Sequence, residues 1–536
     1  MTQAASNPLP DLPTDAGALR ALVLATMAER DAIAAERDRL QADHDALAQR
    51  TERLEHLLRT LRRLKFGRKS ERLPEAQLQL GLEDTEAAIA KVEAEAEHAN
   101  PALRRERAAR RRTNRGKLPV HLPRIEVELA PEDTACPCCR AAMVVIGSDT
   151  SERLDVIPAQ FRVVVTRRPK LACRACAGVV VQQPAPPRLI EGGLPTEGTV
   201  AHVLVSRYAD HLPLYRQAQI WTRQGVVIDR STLASWVGAA AAEIAPAAAR
   251  LKQIMLASAR LFADETTVPV LDPGRGKTKQ GYFWAVARDD RPWAGRDPPA
   301  VVYTYAPGRG HEHGRALLDG YRGILQCDGY AAYKRLADSA FSKGPSVLAF
   351  CWSHVRRGFY DLAQGGNAPI ATEALERITA LYRIEAEIRG LSPAERLAGR
   401  QARSQALITD LHAWFSAQHA RLFTRGPTAE AIGHALNHWD GLVQLLNGGR
   451  IELDTNCVER SMRPVALSRK NALFAGSDEG GANWAAIASL VETCKLNAVD
   501  PQRYLADLLA RLVNGWRQSH IDELMPWCWA PTTAPA

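Results

Sequence analysis

The sequence predicts a mixed α/β core carrying a helical insertion and preceded by several small modules. Three observations lead there. Patterning switches to period two at residue 261, two of the resulting strands carry acids near their ends, and a long helical stretch fills residues 356–446.

The core comes first because it holds the acids. "RLFADETTVPVL" alternates Phe262, Asp264 and Thr266 on one side of a strand. "DPGRGKTKQ" supplies a turn, "GYFWAVAR" a second strand and "AVVYTYAP" a third. A helix through Leu317 and Leu318 leads to "GILQC", which ends on Asp328. Three sequential antiparallel strands, a helix and another strand is the order of an RNase H-like α/β core, where the first and fourth strands lie side by side. Asp264 and Asp328 then project into one site. Two close carboxylates repel, which protonation or an intervening divalent cation relieves. Oxygen donors without thiols or paired histidines favour magnesium or manganese over zinc.

Two-metal phosphodiester chemistry calls for a third acid, and "ELDTNCVERSMRPVALSRKNALF" offers Glu459 on a helix starting near Asn456. Taken alone, Asn456-x-x-Glu459 also fits a capping box. With two strand-end acids upstream, metal ligation is the better reading. Asp454 and Glu265 are reserves, although Glu265 and Asp264 face opposite sides of one strand. Arg463 lies one turn from Glu459, and Pro464 is expected to end or kink the helix. Arg460, Arg463, Arg469 and Lys470 are candidate phosphate contacts, as are Arg356 and Arg357 in "CWSHVRRGF".

Upstream, residues 1–35 carry prolines and small-residue clusters and predict an unordered leader. Leu40, Leu47, Leu54 and Leu61 recur every seven residues, predicting a short coiled coil over 36–65 and a homo-oligomer, although His44 and Thr51 weaken the seam. A basic linker spans 66–118. Its segment "PALRRERAARRRTNRGK" has seven Arg and one Lys against one Glu, and Arg110, Arg111 and Arg112 are its candidate DNA contacts. Within 119–188, "CPCC" and "CRAC" are separated by 33 residues. Cys136, Cys139, Cys173 and Cys176 make a four-thiolate structural zinc ribbon, leaving Cys138 spare. Residues 189–255 include "DHLPLYRQAQIWTRQGVVIDRSTLASWVG", patterned as a helix-turn-helix or a plain helical hairpin, with Arg230 a candidate DNA contact. The core then occupies 256–355 and 447–515 around the 356–446 insertion, and 516–536 form a tail.

The chain has 536 residues, 46% hydrophobic and 24% charged, with net charge +9 and pI near 9.1. That surplus points weakly to a polyanionic partner. Neither a signal peptide nor a long apolar span is present, which predicts a cytoplasmic, nucleoid-associated protein with no membrane partner.

With "LRRLKFGRKSERL", the CxxC pairs, "ADETTVPVL", "LQCDGYAAY", "CWSHVRR", "NCVERSMRPVALSRKNALFAGSDEGG" and "DELMPWCW" in order, the chain resembles the DDE transposases of the insertion-sequence-66 family. The resemblance implies an acidic triad on Asp264, Asp328 and Glu459 with two magnesium or manganese ions. It also implies a helical insertion between the second Asp and the Glu. Activity would be binding of terminal inverted repeats, strand cleavage and 3′-OH transfer into target DNA, with element-encoded helper proteins as further partners. "CPCC" departs from the family's more frequent Cys-Pro-x-Cys-Gly. Two other classes fit the same modules: a DNA-binding regulator with an inactive site, and an RNase H-like nuclease without strand transfer.

Overall fold

The computed structural model describes residues 15–66, 97, 100–114, 138, 160–172, 180–272, 277–337, 345, 347–366, 368–422 and 426–530. The chain divides into two compact units, residues 1–158 and 159–536.

In the first unit, α1 (Ala16–Phe66) begins twenty residues before the expected coiled coil. The expected leader is therefore helical over much of its length. Pro8, Pro10 and Pro13 all precede Asp15, whose Oδ2 accepts the Ala18 amide at 2.9 Å, and the Ala- and Leu-rich run beyond favours helix. Ile33 and Leu40, one heptad apart, are 63% and 60% exposed. The side chains of Leu47, Leu54 and Leu61 lie outside the described residues. The basic segment is helical too, as α2 (Pro101–Asn114). Asn100 Oδ1 accepts the amides of Ala102 and Leu103, Pro101 takes the first helical position, and Arg110 bonds Glu106 one turn back at 2.8 Å. The side chains of Arg111 and Arg112 lie outside the described residues, as do Cys136 and Cys139.

The second unit opens with an antiparallel hairpin, β1 (Lys170–Ala172) with β2 (Val180–Gln182). Cys173 and Cys176 fall between these strands in sequence, outside the described residues. Helices α3 (Glu197–Tyr208), α4 (Leu214–Arg223) and α5 (Arg230–Leu256) follow. Gly225 makes the α4–α5 turn with φ +84°, and Asp229 caps α5 through the Ser231 amide at 2.8 Å. The second helix of the expected helix-turn-helix and the Ala-rich segment after it form one continuous helix. Leu233, Trp236, Val237, Ile244 and Leu251 are buried in the core, so α5 presents no free apolar face; Arg230 stands exposed in its first turn.

Five strands form the main sheet: β3 (Arg260–Asp272), β4 (Lys277–Arg288), β5 (Ala300–Ala306), β6 (Ile324–Cys327) and β7 (Val347–Phe350). Their spatial order is β5-β4-β3-β6-β7, with β3–β4 and β4–β5 antiparallel and β3–β6 and β6–β7 parallel. The short apolar β7, "VLAF", was not anticipated. Between β5 and β7 run α6 (His311–Leu318) and α7 (Ala331–Ala337). The insertion is helical through α8 (Trp352–Gln364), α9 (Pro369–Ile388), α10 (Pro393–Gly399), a π turn, α11 (Gln405–Arg421), α12 (Pro427–Asn437) and α13 (Trp439–Leu442). Then come α14 (Asn456–Ala472), α15 (Asp478–Leu496) and α16 (Pro501–Val513). Helix α15 covers the sheet's β5 edge: Thr493 and Ser489 hydroxyls accept the Val301 and Tyr303 amides at 3.2 and 2.8 Å. Backbone groups that would invite another strand are thereby satisfied.

Candidate active site

Register brings the two aspartates level. In the parallel β3–β6 pair, Phe262 faces Gln326, so two residues further Asp264 comes level with Asp328. Parallel strands run about 4.8 Å apart, which puts these carboxylates within strong mutual reach. The turn beneath Asp328 is built for this. Its Oδ1 accepts the Tyr330 amide at 2.9 Å, and Gly329 adopts φ +89°. A Cβ at Gly329 would come within 2.4 Å of the His438 ring, so only glycine lets the insertion pack against this turn.

Glu459 arrives from a separate element. The segment before α14 is stitched to β6 by buried Gln326, which donates to the Glu452 carbonyl at 2.9 Å and accepts the Glu452 amide at 2.8 Å. The Trp352 amide donates to the Leu453 carbonyl at 3.0 Å, tying in the start of α8. These bonds fix where α14 begins relative to Asp328. Thr455 takes the N-cap position, and Asn456 instead bonds Asp454 through both its amide and side chain. The capping box does not form. Glu459 points to Arg357, 3.3 Å from Oε2, and to His354, 3.7 Å from Oε1. Helix α14 also runs through Pro464 to Ala472, so this proline removes one backbone hydrogen bond without ending the helix.

The electrostatics register the convergence. Burial pushes the Asp264 carboxyl up to about 7, with the charges of Glu265, Asp328 and Glu459 pushing the same way. Only the Glu265 amide, donating to Asp264 Oδ1 at 2.8 Å, opposes them. No guanidinium or ammonium is recorded against Asp264 or Asp328 among the described ion pairs. Glu265, one residue on, is treated differently. Its side chain is 1% exposed and bonds Arg309 at 2.6 Å and the Tyr333 hydroxyl at 2.7 Å. Burial raises the Glu265 carboxyl, while Tyr333 and Arg309 pull it back. Three oxygen-donor acids, two of them with no cation among the described ion pairs, match the donor set of a hard divalent ion.

Beside Glu459 lie two residues that the sequence reading did not weigh as ligands, Cys351 and His354 of "CWSH". The Cys351 contact pushes the His354 imidazole up to about 9, against burial, with the charges of Glu459 and Asp328 adding to the rise. Burial raises the Cys351 thiol, but His354, Ser353 and Thr455 together outweigh it and leave the thiol below its ordinary value. Only the three-residue separation, which puts both residues at the start of one helix, could have signalled this pair. The basic candidates divide. Arg460, Arg463 and Lys470 are exposed on α14, as is Arg357 on α8, and Arg356 is half-buried over the Tyr360 ring. Arg469 is occupied: its guanidinium donates to the Thr267 carbonyl and hydroxyl, anchoring α14 to β3.

Comparison with known proteins sets this geometry in a lineage. Residues 192–483, which include Asp264, Asp328 and Glu459, match the family described as Transposase IS66 family. The chain belongs to the IS66 transposase family. Residues 489–527 match the IS66 C-terminal element, 133–177 the zinc-finger binding domain of transposase IS66, and 53–127 the family described as Transposase C of IS166 homeodomain. All four CxxC cysteines fall within the zinc-finger match of this IS66 chain. Among its relatives are two uncharacterized proteins of Sinorhizobium fredii. The protein y4qI is 43% identical over 98% of this chain and 99% of its own length; y4jD is 44% identical over 79% and 83%. Among the described residues of the IS66 chain, no helix is long and apolar enough to cross a membrane.

Proposed function

We propose that this IS66-family chain is a DDE transposase that binds the terminal inverted repeats of its element, cleaves DNA strands and transfers the freed 3′ hydroxyl into target DNA. The observation that carries this reading is the meeting of Asp264, Asp328 and Glu459, from two adjacent parallel strands and a following helix, with no cation against either aspartate among the described ion pairs. The strand order, with the first strand central and the second antiparallel to it, supports an RNase H-like core.

Asp264, Asp328 and Glu459 would hold magnesium or manganese. When bound, the divalent pair activates the attacking oxygen and offsets charge on the leaving one. The chain's own part is placement. Arg357 steadies one oxygen of Glu459, Gly329 and His438 hold the Asp328 turn, and Gln326 locks the approach of α14 to the sheet. Exposed Arg460, Arg463 and Lys470 lie on the same helix as Glu459, where they track a phosphate backbone. Arg110, Arg111, Arg112 and Arg230 add DNA contacts outside the core, and the four CxxC thiolates hold a structural zinc ion. The exposed Ile33–Leu40 stripe of α1 supports self-association, which would bring two element ends together. Helper proteins encoded by the same element are candidate partners.

The test is magnesium-dependent nicking and joining on labelled DNA carrying the element's ends, comparing wild type with Asp328→Asn. Joined products from wild type and none from the variant support the reading. Cleavage that survives the substitution removes Asp328 from the chemistry. Specific binding by wild type without cleavage under any divalent ion favours a DNA-binding regulator instead.

A further inference from the structure

Next to the all-oxygen cluster stands a donor set of different chemistry. Cys351 follows β7 at the N-cap position of α8, His354 lies in the first turn of α8, and Glu459 reaches across from α14. One ligand atom from each residue lies within 4.8 Å of the other two. The Cys351 side chain is buried, and its sulfur accepts the Thr455 amide at 3.2 Å and sits 3.0 Å from the Ser353 hydroxyl. An amide N–H directed at sulfur stabilises a thiolate, as outer-sphere donors do around metal-bound cysteines. His354 Nδ1 is sealed from solvent and has no hydrogen-bond partner, although a buried ring nitrogen left so is costly. It lies 3.7 Å from Glu459 Oε1, too far to bond directly. Arg357 meets the other oxygen, while Oε1, which accepts the Thr455 hydroxyl at 3.4 Å, stays on the imidazole side.

Magnesium does not suit this set. A thiolate, an imidazole and one carboxylate oxygen together select a softer ion, and three protein donors leave a fourth tetrahedral position open. We propose that Cys351, His354 and Glu459 form a binding site for a thiophilic divalent cation of the zinc class, separate in chemistry from the Asp264–Asp328–Glu459 group. The two sites share Glu459. An ion held by Cys351 and His354 draws that carboxylate away from the aspartates, so the site acts as a zinc-sensitive brake on the chemistry proposed above. Binding stands on these three side chains alone; the brake rests on the transposase reading.

The experiment uses the metal-free full-length chain titrated with cobalt(II), with no DNA present. Bound metal is counted and the sulfur-to-cobalt charge-transfer band followed for wild type, Cys351→Ser and His354→Gln. Wild type should bind one more equivalent than Cys351→Ser, over and above cobalt taken by the four CxxC cysteines. His354→Gln should weaken that equivalent by about tenfold or more. Because Cys351 is buried and His354 is 28% exposed, His354→Gln carries the result if the serine variant does not fold. Equal stoichiometry and affinity in wild type and His354→Gln overturn the site, whether or not the chain cuts DNA. A retained cobalt difference in a chain that never cleaves supports the ion site and overturns the brake.

Discussion

Two clusters of half-buried acids in the second unit are handled in opposite ways. Where the insertion meets the segment before α14, Glu385 and Glu452 pair with Arg396 and Arg400, whose side chains are 1% and 0% exposed. Arg400 holds both Glu385 oxygens at 2.7 Å and donates to the carbonyls of Leu445, Gly448 and Ile451. Every charge there has a partner of opposite sign. At the sheet, half-buried Asp264 stands among other carboxylates and its acid is forced up to about 7. Glu265, its immediate neighbour, is neutralised by Arg309 on the opposite face. This fold therefore pairs acids where pairing serves packing. Leaving Asp264 and Asp328 without an equivalent cation among the described ion pairs is a local property of the site, and a bound divalent ion would resolve it.

The difference sets the sizes of expected effects. Arg400→Ala breaks the insertion's network and strands Glu385, so it should destabilise the second unit by about 3–5 kcal/mol, read from urea unfolding. A loss under about 1 kcal/mol would mean the paired cluster is not what holds the insertion. Asp264→Asn should act in the other direction. The folded, metal-free chain keeps a proton on Asp264 that the unfolded chain releases near pH 4. Stability from that proton is present below pH 4 and lost as pH rises through about 7. At pH 8 the asparagine variant should be more stable than wild type by on the order of a few kcal/mol, with a flatter profile between pH 4 and 7. Identical profiles would show that Asp264 is not strained. Arg357→Ala should have the smallest effect on folding, because the Arg357 side chain is 59% exposed and such pairs contribute about 0–1 kcal/mol. Its effect should appear as slower cleavage, since Glu459 loses the contact that steadies it. An unchanged cleavage rate would make that ion pair incidental.

The sequence made the sheet legible where patterning was local. Period-two runs located β3 to β5, and "LQCD" located β6 with its terminal acid. Register then follows from chain direction, so the sequence alone pairs Asp264 with Asp328. Elements that depend on distant partners were less visible. Strand β7 is four apolar residues, "VLAF", too short to separate from a buried helix segment. Helix α1 starts at Ala16 because a single aspartate caps it, a signal masked by the prolines just before. Asn456 and Glu459 have the spacing of a capping box, yet Thr455 takes the N-cap position and Asp454 takes Asn456, so Glu459 bonds the Thr455 hydroxyl and Arg357 instead of the Asn456 backbone. Arg469 looked like a phosphate contact until Thr267 was found beside it, 202 residues away in sequence. Cys351 and His354 gained meaning only when α14 brought Glu459 against them.

The most direct test of the central claim is manganese binding to metal-free protein, followed by electron paramagnetic resonance without DNA. Wild type is compared with Asp264→Asn, Asp328→Asn and Glu459→Gln. If the three carboxylates from β3, the end of β6 and α14 form one site, each substitution should weaken the tightest manganese equivalent, and Asp264→Asn with Asp328→Asn together should abolish it. A variant at any one of the three positions that binds manganese as wild type does would contradict a single shared site.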